Sequence, residues 1–188
     1  VNPYINVDSK GLFKKKYGLK DKFIFLFAGV IGPSQGLDLI IKVANELRGL
    51  SDICFLLVGD GTEKEKLIKM ANNYGLNNII FKPFVSKDEY PALVKDSDVG
   101  LVCLSYNNKT PVVPGKILGY MAASIPVVAF LNRESDGHKI IKEAQCGYSE
   151  ISDDPVRATE VIKRIYDERH MLKQYGENGF KYVLEHFS

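Results

Sequence analysis

The chain has 188 residues, 45% of them hydrophobic and 26% charged, with 25 lysines and arginines against 23 acidic residues. One domain with a complete core fits that length, and a net charge of +2 excludes a protein built to hold nucleic acid by charge. No apolar stretch reaches the ~20 residues of a membrane-spanning helix, and no signal peptide opens the sequence.

Residues 1–21 precede any regular alternation and read as a lead-in segment, with Lys14, Lys15 and Lys16 as solvated surface, contact with a membrane or polyanion being the alternative. From Lys22 onward, strand and helix patterns alternate. Phe23–Gly29 (FIFLFAG) is a continuous apolar run ending in glycine, as expected of a strand buried on both faces. Leu37, Ile40, Ile41, Ala44 and Leu47 then recur at helical spacing. Ile53–Gly59 (ICFLLVG) repeats the strand pattern, and Leu67, Met70, Ala71 and Tyr74 repeat the helical one. Asn78–Phe81 predicts a short third strand, Tyr90–Lys95 a helix, and Val99–Leu104 a fourth strand. A helix over Lys116–Ala123 leads to a fifth strand at Val127–Phe130, and a helix over His138–Ala144 leads to a weak sixth at Tyr148–Ile151. Two helical stripes close the chain, Ala158 to Ile165 and Leu172 to His186. The pattern predicts an α/β fold: a Rossmann-like, doubly wound parallel sheet of about six strands over residues 22–188. Cys54, Cys103 and Cys146 are odd in number and lack metal-ligand spacing, so they read as buried reduced thiols of a cytoplasmic protein.

In an open parallel sheet, a ligand sits beyond the carboxyl ends of the strands, where strand order reverses. With the order 3-2-1-4-5-6, that place lies between the first and fourth strands. The loops there are Val30–Gly36 (VIGPSQG) and Ser105–Gly115 (SYNNKTPVVPG), each feeding a helix start. Gly29, Gly32 and Gly36 allow close backbone approach but are not spaced as a dinucleotide fingerprint, and any one of them is also accounted for by a tight turn. Gly115-Lys116 opens a helix, where free amides and the helix dipole suit a phosphate. A lysine there opposes the dipole unless an anion is present, so Lys116 reads as a phosphate contact; Lys109 is a further candidate. Asp98 reads as structural. No nucleophile motif, metal-binding motif or paired-carboxylate pattern is present, so no catalytic residue is assigned.

These same residues resemble the C-terminal, nucleotide-sugar-binding half of GT-B glycosyltransferases of family 4. FLFAGVIGPSQGLDLIIKVANEL resembles the opening strand, glycine loop and helix of that family, and FLLVGDGTEKEKL its Val-Gly-x-Gly segment. IIFKPFVSKDEYPALVKDSDVGLV resembles the part running from the nucleobase pocket to the fourth strand, and PGKILGYMAASIPVVA the Pro-Ser-Lys to Pro-Val-Val segment. The chain departs from the family at Val30 and Gln35, where Arg and Lys are usual, and at Pro111 and Gly119, where two glutamates are usual. A branch of bacterial surface-polysaccharide transferases shares these departures.

The resemblance implies a diphosphate site made of Gly29, Gly32, Ser34, Gln35, Gly115, Lys116 and Ile117, with the nucleobase and ribose near Gly59, Pro83, Phe84 and Val85. It implies sugar transfer from a nucleotide-diphosphate donor, foremost a UDP-sugar, to a saccharide or lipid-linked acceptor, with retention and with no cofactor or metal required. It also implies that residues 1–21 lead in from an N-terminal acceptor domain, to which any membrane contact would belong, and that this domain alone binds donor without turnover. A GT-B-type nucleotide-sugar epimerase and a degenerate, non-catalytic α/β binding module are the alternatives. A receiver-like module fits poorly, because the first strand ends Ala28-Gly29-Val30 without clustered acids.

Overall fold

In the computed structural model, residues 3–4 and 11–187 are described. Six parallel strands, β1 (Phe23–Val30), β2 (Ile53–Asp60), β3 (Ile79–Lys82), β4 (Val99–Cys103), β5 (Val127–Leu131) and β6 (Gly147–Ile151), form one sheet in the order β3-β2-β1-β4-β5-β6. The predicted order and doubly wound class are therefore found. The sixth strand, read as weak, pairs with β5 over its whole length, from Val127↔Gly147 to Leu131↔Ile151.

The helices are α1 (Leu12–Lys16), α2 (Asp38–Glu46), α3 (Lys64–Asn73), α4 (Tyr90–Lys95), α5 (Gly115–Ala122), α6 (Gly137–Ala144), α7 (Pro155–Asp167) and α8 (Leu172–His186). They cover both faces of the sheet, for a reason visible in β1. Phe23, Phe25 and Phe27 point into one core layer, with Ile40 of α2, Leu67 of α3 and Ile162 of α7. Ile24, Leu26 and Ala28 point into the other, with Leu93 of α4, Tyr120 of α5 and Ile141 of α6. A strand covered on both sides gains nothing from a polar face, hence the unbroken apolar runs. All three cysteines are free and buried; burial pushes the Cys54 and Cys146 thiols up to about 12 and raises Cys103 as well, so none is a reactive thiolate at neutral pH.

The packed unit begins ahead of Lys22. Helix α1 lies in the segment read as lead-in, and its Phe13 is 1% exposed in the same layer as α4 and α5. The helix starts at Gly11, which has no side chain to cap it. Asp96, at the end of α4, caps it instead: one carboxylate oxygen accepts from Phe13 N–H at 2.7 Å and Lys14 N–H at 3.1 Å. Asp98 accepts from Ile24 N–H at 2.7 Å and lies 3.8 Å from Lys14 Nζ, so it is structural as expected. Burial raises its carboxyl above the usual range, outweighing the Ile24 bond and the Lys14 charge. Asp96→Ala is expected to cost about 0.5–2 kcal/mol, as for loss of an N-cap. Amide exchange should accelerate across Leu12–Lys16 while β1 keeps its protection; unchanged protection of α1 would show that the cap is not what holds it.

Candidate functional site

Because all six strands are parallel, their carboxyl ends share one edge, and every loop singled out above emerges there. Strands β1 and β4 are neighbours, but α2 leaves toward one face and α5 toward the other, which opens a crevice between their loops. The two loops are tied together. The Ser34 carbonyl accepts from Ser105 N–H at 2.8 Å and from Asn108 Nδ2 at 3.4 Å.

Lys116 enters this crevice from the first turn of α5. A Cβ placed at Gly29 would lie 2.6 Å from both Cε and Nζ of Lys116, so the end of β1 and the lysine are in direct contact. Lys116 is half-buried, burial lowers its pKa, and it has no carboxylate partner among the described residues. The amides of Gly115 and Lys116 likewise have no acceptor among them. A cation, two open amides and a helix N-terminus converge without a counter-charge, and that arrangement suits an anion. Helix α5 is held firmly behind it. The Tyr120 ring packs against Gly100, where a Cβ would come within 2.4 Å of it, and Tyr120 O–H donates to the Leu26 carbonyl at 3.2 Å.

Other expected contacts are placed differently. The Ile117 side chain is fully buried in the core, and its N–H donates to the Pro114 carbonyl at 3.1 Å, so it supports the helix start and is not a free ligand. Gln35 Oε1 accepts from Gly32 N–H at 3.0 Å, so this side chain shapes its own loop where a cation is usual. Ser34 is exposed at the loop tip, and Lys109 is exposed on the β4–α5 loop with nothing tying it to Gly29 or Lys116. Gly59 pairs with Gly29 in register. Pro83, Phe84 and Val85 follow β3, two strands or roughly 10 Å from β1. The Phe84 ring is 57% exposed there, and Val85 packs against the core.

His138 is not a free base. Its Nε2–H donates to the Asn132 carbonyl at 3.0 Å, which leaves Nδ1 to accept from the Ser149 hydroxyl at 2.8 Å. The sequence reading missed Lys64, the first residue of α3, whose Nζ donates to the Gly59 carbonyl at 2.9 Å. Like Lys116 it is a cation at a helix N-terminus, and that position was the available signal. A separate cleft of about 330 Å³, lined by Gly36, Ser105, Tyr106 and Ser152 among others, shares these loops but does not include Lys116. No group of three or more His, Cys, Asp or Glu among the described residues is placed to hold a metal ion.

Residues 9–182 match the family described as glycosyl transferases group 1. The chain belongs to that family. Its fold is that of the C-terminal half of a GT-B glycosyltransferase, as the solved structures bear out. Anabaena HepE in complex with UDP superposes on it with a TM-score of 0.85 at 16% identity, over 100% of this chain and 51% of that one. In sequence, the proposed colanic acid biosynthesis glycosyl transferase WcaI of Escherichia coli K12 is 39% identical over 102 residues, covering 54% of this chain and 25% of WcaI. The GDP-mannose-dependent phosphatidylinositol monomannoside mannosyltransferase of Mycolicibacterium smegmatis is 28% identical over 127 residues, covering 65% of this chain and 33% of that enzyme. The chain thus spans about half or less of the length of these relatives. Among the described residues, no helix of this family member is long and apolar enough to cross a membrane.

Proposed function

We propose that this chain is the donor-binding domain of a retaining glycosyltransferase that uses a nucleotide-diphosphate sugar, foremost a UDP-sugar, to build surface glycans. The half-buried Lys116, set against Gly29 at the open start of α5 with no carboxylate partner among the described residues, carries the reading. During transfer the bond from the anomeric carbon to the diphosphate oxygen breaks, and the electron pair stays on that oxygen. Lys116 and the amides of Gly115 and Lys116 would offset the charge that develops there. The acceptor hydroxyl forms the new glycosidic bond and passes its proton to the departing diphosphate oxygen; the groups that bind the acceptor, saccharide or lipid-linked, would come from an N-terminal domain. The nucleobase would rest at Pro83–Val85, with no cofactor or metal required. Support comes from the family match, from the UDP complex of a protein with this fold, and from a relative named for colanic acid synthesis.

Calorimetric titration with UDP, GDP and ADP tests the donor site. Saturable binding selective for UDP is expected. A GDP preference would move the donor to the class used by the mycobacterial relative, and no binding by the folded chain would favour the degenerate module. The pH profile adds a second check. Burial holds the Lys116 pKa below the usual 10.5, and a bound diphosphate favours its charged form. The Lys116 contribution to UDP affinity is therefore expected to be full below the free chain's Lys116 pKa and to fall as pH rises through it, earlier than for an ordinary lysine. Lys116→Arg stays charged throughout and should remove that part of the decline. Identical profiles for the two forms would count against Lys116 as the contact.

A further inference from the structure

The β4–α5 loop that delivers Lys116 to Gly29 has no helix or strand of its own from Ser105 to Pro114. Three successive carbonyls of it are nevertheless fixed, all by the segment between β5 and α6. Asn132 Nδ2 donates to the Thr110 carbonyl at 2.8 Å, Asp136 N–H to Pro111 at 3.3 Å, and Ser135 Oγ–H to Val112 at 2.6 Å. Asn132 is fully buried and Ser135 is 5% exposed, so water does not compete freely for these bonds. Ser135 Oγ also accepts from Gly137 N–H at 3.1 Å, so one hydroxyl joins the start of α6 to the loop. That helix start abuts α5 directly, since a Cβ at Gly137 would lie 2.8 Å from Ile117 Cδ1, the residue beside Lys116. His138 in turn donates to the Asn132 backbone carbonyl and so anchors that segment.

We propose that Ser135 is a positioning residue for the diphosphate site, holding the β4–α5 loop so that Lys116 meets the end of β1. This rests on the reading of Lys116 as the diphosphate contact. Ser135 itself touches no donor. Its hydroxyl fixes the Val112 carbonyl, close ahead of the first turn of α5, and so sets where that turn begins. Removing the hydroxyl leaves Lys116 present but less firmly held over Gly29, since the Asn132 and Asp136 bonds to the loop remain.

The test is a double-mutant cycle on this chain, with UDP titrations and melting curves of wild type, Ser135→Ala, Lys116→Ala and the double variant. Ser135→Ala is expected to weaken UDP binding roughly threefold to tenfold, the net worth of one hydrogen bond. In the Lys116→Ala background the further loss should be clearly smaller, because the cation is gone and only the Gly115 and residue-116 amides remain to be positioned. Equal losses in both backgrounds would mean general destabilisation, and no loss in wild type would overturn the proposal outright. If Ser135→Ala does not fold, Ser135→Cys, of similar shape but a weak donor, takes its place with the same criteria. A readout without nucleotide separates this idea from the functional reading. Ser135→Ala should shift the amide resonance of Gly29, remote in sequence, as well as those of Val112, Val113, Gly115 and Lys116. If wild type binds no UDP, the functional reading falls and the Gly29 resonance alone decides: a shift keeps the positioning role, and an unmoved resonance ends it.

Discussion

Lys116→Ala is expected to lower UDP affinity roughly tenfold to a hundredfold, the loss of one charge-assisted contact worth about 1.5–3 kcal/mol. The magnitude follows from the setting. The ammonium is half-buried with no carboxylate partner among the described residues, so a phosphate brought to it meets a cation that little else screens. The same setting predicts the opposite sign for stability. A cation in the first turn of α5 opposes the helix dipole, and its burial costs solvation. Without ligand, the alanine variant should therefore unfold at the same temperature as wild type or slightly above it, by about 0.3–1 kcal/mol. Weaker binding with equal or greater stability would mark a residue kept for its ligand. Unchanged affinity would remove Lys116 from the site, and a loss of both would make it structural. Gly29→Ala should reproduce part of the binding loss, because its methyl would occupy the space of the lysine's Cε and Nζ, and at φ +154° it should also cost stability.

Gly59→Ala is expected to be among the most destabilising single substitutions in the chain, at about 3–5 kcal/mol. Two independent costs coincide. Gly59 has φ +155°, which L side chains rarely adopt, and its Cβ would lie 1.8 Å from the Gly29 carbonyl oxygen. That oxygen belongs to β1 in the middle of the sheet, and Gly29 and Gly59 are register partners, so neither can withdraw without opening the β1–β2 ladder. In a chain of this size the melting temperature should fall by roughly 6–20 °C. Gly119→Ala is the matched control. It lies within α5 with nothing within 4 Å of its Cβ, so alanine there should stabilise by about 0.5–1 kcal/mol through helix propensity. A mild effect at Gly59 would mean that the strand ends can part more easily than their packing implies.

The fold, and the sheet edge on which the candidate loops emerge, were legible in residue order alone. Phe23–Gly29 and Ile53–Gly59 are apolar at every step because both faces of β1 and β2 are covered, and a parallel sheet puts all their following loops on one edge. Lys116 stood out for a local reason, its charge at a helix start, and that reason survives in three dimensions. The first turn of α1 could not be read, because the acid that caps it, Asp96, lies 83 residues away, and Gly11 carries no capping side chain. Nor could the inward turn of Ile117, the folding of Gln35 onto Gly32, or the hold of Lys64 on the Gly59 carbonyl. The Asn132, Ser135 and Asp136 bonds to the β4–α5 loop belong with them. Periodicity and composition record which faces are buried and which helix ends carry charge. They do not record which side chain reaches which backbone carbonyl, since every residue offers the same carbonyl and only the packed chain chooses among them.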